Sequence, residues 1–118
     1  MLRREFFANI PKPADLGGRL QGDSGVLVEV TGSVAGTRVL HSLHTVMNHQ
    51  EAYRLHGTTA TAYLTGTGGA AGALLLASGQ VRQAGVLAPE CLDPVPLLRW
   101  IEENGVKVTE RVRATAMR

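Results

Sequence analysis

Gly25-Val26-Leu27-Val28-Glu29-Val30-Thr31 and, five residues later, Thr37-Arg38-Val39-Leu40-His41-Ser42-Leu43-His44-Thr45-Val46-Met47 decide the fold. The first run is β-branched and ends at Gly32, the signature of a strand. In the second, Val39, His41, Leu43 and Thr45 alternate with Leu40, Ser42, His44 and Val46. The alternation of polarity is imperfect, but composition and length favour a second strand. Ser33-Val34-Ala35-Gly36 between them reads as a turn, so the pair forms an antiparallel hairpin.

Downstream, residues 57–79 are rich in Thr, Ala and Gly and then in Leu. Thr58 or Thr59 can cap a helix with its hydroxyl. Ala70 to Ala77 has high helical propensity, and Gly79 suits the stop. The interior glycines Gly66, Gly68, Gly69 and Gly72 each disfavour a helix by up to ~1 kcal/mol, which suggests close backbone contact with something. Residues 81–87 read as a short extended piece. Asp93-Pro94 opens a second helix, with Asp as cap and Pro in the first turn. Leu97, Leu98, Trp100 and Ile101 form its apolar face, with Trp100 placed in the core, and Gly105 ends it. Val106, Val108 and Val112 alternate with Lys107, Thr109 and Arg111 as a last strand. Upstream, a short helix over residues 3–9 and a further turn over 15–20 form a lead-in interrupted by Pro11 and Pro13. The expected class is α+β: a mainly antiparallel or mixed sheet (strands near 25–31, 38–47, 81–87 and 106–112) with helices near 58–79 and 94–104 on one face. Residues 1–22 are the lead-in and 23–118 a single domain.

With 118 residues, the chain is about one domain long. It is 44% hydrophobic and 19% charged, ordinary values for a packed protein, but only 4% aromatic. Core volume must therefore come from Val, Leu and Ala. The net charge is +2, and the arginines gather toward the ends (Arg3, Arg4, Arg111, Arg113, Arg118), where they read as solvated. No basic stripe with interleaved aromatics points to nucleic acid. The single cysteine, Cys91, rules out an intrachain disulfide and suits a reducing, cytoplasmic setting. Neither a membrane span nor a secretory leader is expected.

Three groups of residues bear on chemistry. Gly66-Thr67-Gly68-Gly69-Ala70-Ala71 fits the dinucleotide fingerprint G-x-G-x-x-A, but Thr-Ala-Thr-Ala-Tyr-Leu-Thr before it is a poor buried strand. The plainer reading is a helix of small residues that packs closely. His41, His44, His49 and His56 lack metal-site spacing, and His41 and His44 fall on opposite strand faces by parity. His49 stands apart because Asn48-His49-Gln50-Glu51-Ala52-Tyr53 reads as a polar loop on a scaffold, where ligand contacts concentrate. Tyr53 or Tyr63 beside a histidine could orient a substrate, or could fill a gap in an aromatic-poor core. Cys91 has no base beside it in sequence, and no carboxylate pair has spacing that demands acid–base work.

Several segments together resemble the C-terminal domain of the saccharopine dehydrogenase-like reductases. Asn48 to Tyr53 is similar to that family's Asp-His-x-x-x-Tyr loop, and Ala62-Tyr63-Leu64-Thr65-Gly66 to its Tyr-Thr-Thr-Gly segment. Ala73 to Gly79, Gly85-Val86-Leu87-Ala88-Pro89-Glu90, Leu92-Asp93-Pro94-Val95-Pro96 and Glu103-Asn104-Gly105-Val106 follow in the family's order. Asn48 departs from the usual Asp, and Gly68-Gly69 from a common Pro-Ala pair. The resemblance implies the substrate-binding and dimerisation domain of an NAD(P)-dependent oxidoreductase acting on an amino-acid-derived amine or imine. NAD(P) would bind a Rossmann domain absent from these residues, so the chain alone would hold no cofactor and would not be catalytic. Implied partners are that Rossmann domain, a small amino-acid-like substrate and a second copy of the chain; nucleic acid and membrane are not. Carried over by position, His49, Tyr53, Thr65 and Gly66 would line the substrate cleft. The alternatives are a non-catalytic homodimeric interaction domain and, less favoured, a stand-alone dinucleotide binder.

Overall fold

The hairpin is longer than its apolar runs. The computed structural model describes residues 8, 10–16 and 18–114, and in it β1 (Asp23–Val34) pairs antiparallel with β2 (Thr37–Asn48) from Asp23↔Asn48 to Val34↔Thr37. Ala35 and Gly36 close the loop with φ of 48° and 79°. Two successive positive φ values give the turn a twist that matches the strands. The final strand, β3 (Thr109–Ala114), pairs antiparallel with β2 from His44↔Thr109 to Val39↔Ala114. The sheet therefore runs β1-β2-β3 with β2 central.

Among the described residues four α-helices accompany it: α1 (Pro13–Leu16), α2 (His49–His56), α3 (Ala60–Ala77) and α4 (Pro94–Glu103). The expected α+β class holds, with helices near both anticipated positions. Thr59 caps α3 by accepting from the Ala62 amide at 3.2 Å, and Asp93 caps α4 by accepting from the Val95 amide at 3.0 Å. The lead-in helix expected at 3–9 falls almost wholly outside the described residues.

Three expectations need correction. The strand near 81–87 does not form; the segment is irregular, and Val86 is fully exposed. Its two valines are separated by Arg82-Gln83-Ala84-Gly85, Gly85 has φ 111°, and no strand edge runs beside it. β-Branched content does not make a strand without a partner. The Asn48 to Tyr53 stretch is a helix rather than a loop: Asn48 Oδ1 accepts from the amides of Gln50 at 3.0 Å and Glu51 at 3.2 Å. Gly57, at φ 67°, ends α2 by donating its amide to the Tyr53 carbonyl at 2.9 Å. The last strand starts at Thr109 because the Val106 amide is used on the Ile101 carbonyl at 3.0 Å, closing α4.

The core is small. Among the described residues its buried apolar members are Ala52, Ala60, Ala71, Leu75 and Val106, and no large side chain is fully buried. Trp100, assigned to the core by its helical position, is only half-buried. α3 contributes Thr67, Ala71 and Leu75 at i, i+4 spacing, so one narrow stripe faces inward. The Cα radius of gyration is 18.3 Å; a compact domain of this length has about 13–14 Å. The accessible surface is 9293 Å², against about 6,200 Å² for a compact monomer of this mass. Much of the excess is apolar: Val26, Leu27, Val28, Val30, Val34 and Val112 on the strands are all at least half exposed.

Candidate functional site

Antiparallel pairing sorts the sheet side chains onto two faces. Val26 and its partner Thr45 face the helices, where they line a cavity of about 240 Å³ with Leu64, Thr67, Ile101 and Val106. Thr45 Oγ1 is buried there with no hydrogen-bond partner among the described residues. By register, Val28, Val30, Leu43, His41, Glu110 and Val112 share this face. His41 Nε2 lies 2.7 Å from Glu110 Oε1, but without hydrogen-bond geometry. The contact is thus an ion pair only when the imidazole is protonated. Leu27, Glu29, Leu40, Ser42, His44, Arg111 and Arg113 share the opposite, helix-free face.

The four residues expected to line a substrate cleft do not share one cavity among the described residues. His49 is the first residue of α2, and its Nδ1 accepts from the Ala60 amide at 3.2 Å. The imidazole thereby ties the end of the hairpin to the start of α3. Tyr53 lies one turn further along α2, and its ring edge approaches Gly18 closely enough that a Cβ there would lie 3.4 Å from Cε1. Thr65 returns its hydroxyl to the Thr61 carbonyl at 2.9 Å and lines the small apolar cavity. Gly66 faces open space. His49 and Thr65 are held on neighbouring helices, with Thr65 about 8 Å along α3 from Ala60. His49, Tyr53 and Gly66 line neither that cavity nor the two larger ones that follow.

Two other constellations do form. The larger is a cavity of about 530 Å³ where α2, α3 and the end of α4 meet, with Glu51, His56, Tyr63, Glu103, Asn104 and Lys107 on its walls. The rings of His56 and Tyr63 stack at 3.7 Å with 9° between planes, and Tyr63 Oη donates to the Asn104 carbonyl at 2.7 Å. Tyr63 is thus half-buried beside a histidine, with its polar tip satisfied. The second is a cavity of about 450 Å³ on the helix-free face, lined by Glu29, Ser42, His44, Arg111 and Arg113 among others. Arg111, expected within the last strand, and Arg113 beyond its expected end both belong to β3 and are exposed, in line with their reading as solvated. A sequence signal existed: Arg-Val-Arg continues the alternation begun at Val106, which puts both guanidinium groups on one face.

Gly66 to Ala71 lies inside α3, with helical residues on both sides. A dinucleotide fingerprint needs a strand-to-helix turn whose amides are free for phosphate, and here the preceding residues are helical. Among the described residues no group of three or more His, Cys, Asp or Glu side chains could hold a metal ion, and no helix is long and apolar enough to cross a membrane. Cys91 is free and exposed.

No family profile matches the chain. In sequence it is similar to part of a dehydrogenase. That protein is the carboxyaminopropylagmatine dehydrogenase of Synechocystis sp. (strain ATCC 27184 / PCC 6803 / Kazusa), 29% identical over 99 residues. The match takes in 84% of this chain and 25% of the relative, so the chain spans about a quarter of the relative's length.

Proposed function

We propose that this chain is the substrate-binding and dimerisation part of an NAD(P)-dependent oxidoreductase of the saccharopine dehydrogenase-like kind, acting on an amino-acid-derived amine or imine. The observation that carries the reading is the similarity itself: 84% of the chain aligns with a quarter of a dehydrogenase. The exposed apolar strands support it, because a surface half again larger than a compact monomer's suits a piece built against other protein. The nicotinamide cofactor belongs to a Rossmann domain outside these residues, and the chain alone transfers no hydride. His49, Tyr53, Thr65 and Gly66 remain the positions the family resemblance assigns to the cleft; a closing second domain would have to complete it.

The test is a chimera in which this chain replaces the matching quarter of the Synechocystis enzyme. NAD(P)H turnover on a carboxylated amine, retained even at reduced rate, supports the reading. A folded chimera that binds cofactor but turns over no such amine overturns it. Sedimentation of the chain alone tests dimerisation: a dimer at micromolar concentration is expected, and a monomer at every concentration would remove that half of the proposal. A non-catalytic interaction domain would dimerise and fail in the chimera.

A further inference from the structure

The two outer strands of the sheet guard their edges differently. β3 has 6 residues and carries Glu110, Arg111 and Arg113, so its free edge is short and charged. Short length and charge discourage pairing with another chain. β1 has 12 residues, and none of them is proline, lysine or arginine. Its charges are Asp23 at one end and Glu29 near the middle.

Pairing with β2 fixes which backbone groups the β1 edge presents. The His49 amide donates to the Gly22 carbonyl at 3.0 Å, and the hairpin closes at Val34↔Thr37. In an antiparallel ladder the bonded pairs recur at every second residue. The even-numbered residues of β1 therefore bond to β2. Asp23, Gly25, Leu27, Glu29, Thr31 and Ser33 turn their N–H and C=O groups outward, and no other backbone group among the described residues satisfies them.

We infer that this edge is completed by β1 of a second copy, antiparallel about a two-fold axis at Val28, which joins two three-stranded sheets into one. The sequence of β1 selects that register. Val28 lies opposite its own copy and Val26 opposite Val30 of the second copy, so the helix-side valines form one ladder across the junction. On the other face Glu29 meets Leu27, whereas an axis at Glu29 would set two carboxylates against each other. Asp23, Gly25 and Leu27 exchange bonds with Ser33, Thr31 and Glu29, about twelve bonds over the two-fold. Val30, 59% exposed in its own chain, comes beside Val26, which faces the helices. The bare half of each hairpin is thus set against the helix-bearing half of the other. An arbitrary extended peptide offers no such match. The strand addition rests on the dimerisation half of the proposed function and names its surface; it does not depend on the enzyme half.

The test uses the 118-residue chain with Cys91→Ser, because Cys91 is exposed and would crosslink by itself. Sedimentation should show a dimer. Leu27→Pro removes an amide that faces away from β2, so the hairpin is kept while the dimer weakens about tenfold. Leu27→Glu, opposite Glu29, should weaken it about three- to tenfold, and Leu27→Lys should tighten it by a similar factor. A misfolded variant cannot give that gain. Under mild oxidation Val28→Cys should close an interchain disulfide, since the paired Cα atoms lie about 4.5 Å apart. Thr31→Cys, far from its own copy in this register, should not. A dimer unchanged by Leu27→Pro and Leu27→Glu, or failure of Val28→Cys to crosslink, would overturn the edge while dimerisation stands. A chain that is monomeric at every concentration removes both and leaves the enzyme reading to the chimera.

Discussion

Gly69→Ala together with Gly72→Ala should stabilise the protein. Both lie in the middle of α3, and a Cβ built on either meets nothing within 4 Å. Neither has positive φ, so alanine fits the backbone without strain. Each glycine disfavours the helix by about 0.5–1 kcal/mol relative to alanine. The two positions are neighbours on one helix face, and a methyl at either meets no other element, so the propensity gains sum to about 1–2 kcal/mol. Unfolding entropy scales at about 2.1 cal/mol/K per residue, which for this length gives about 4 °C per kcal/mol. The double variant should therefore melt about 4–8 °C higher by circular dichroism or calorimetry. An unchanged or lower Tm in a folded variant would refute the reasoning, because it would mean that the glycine backbone is pressed against something, as the sequence alone suggested.

Other outcomes follow from single contacts. Asn48→Asp keeps the cap acceptor of α2 but replaces Nδ2, which donates to Asp23 Oδ1 at 2.9 Å, by a carboxylate oxygen. It should destabilise by about 1–2 kcal/mol at neutral pH, and the deficit should shrink as pH falls and the carboxyls protonate. Ala35→Asn gives the hairpin the Asn-Gly pair that two positive φ values favour, and should stabilise by about 0.5–1 kcal/mol in urea denaturation. Tyr63→Phe keeps the ring over His56 but removes the bond to the Asn104 carbonyl, and should lower stability by about 0.5–1.5 kcal/mol. Val30→Glu, at a position 59% exposed, should leave the monomer's stability within about 0.5 kcal/mol but shift sedimentation toward monomer if a second copy covers the helix-side face.

The parts of this fold set by short-range pattern were legible in the sequence. The hairpin, the Thr59 and Asp93 caps and the Gly57–Gly79 helix follow from β-branching, capping chemistry and helix propensity within a few residues. The helix at His49 escaped because its polarity looked like a loop, although Asn48 followed by Glu51 and then Gly57 is a start-and-stop signal. The false strand near 81–87 has the opposite cause: its composition suited a strand, but pairing is a long-range matter that composition does not decide. The candidate site was the least legible. Arg111 meets Ser42 and Glu29 only through register, across separations of 69 and 13 residues (111 − 42 and 42 − 29). His49 and Thr65 make local hydrogen bonds and Gly66 faces open space, while the charged row across the sheet needed the strand order to be seen.

Chemistry divides the sheet into an apolar face and a face that carries charge. On the helix side, beyond the reach of α3, Val28, Val30 and Val112 are each 50–60% exposed. Full burial of a valine is worth about 1.5 kcal/mol or more, so covering three of them is a substantial share of a domain's net stability. The other face interrupts its leucines with a carboxylate, a hydroxyl, an imidazole and two guanidinium groups. Burying that face against an apolar partner would strand those charges at a penalty of several kcal/mol each. A partner should therefore prefer the valine side, which leaves Glu29, Arg111 and Arg113 in solvent.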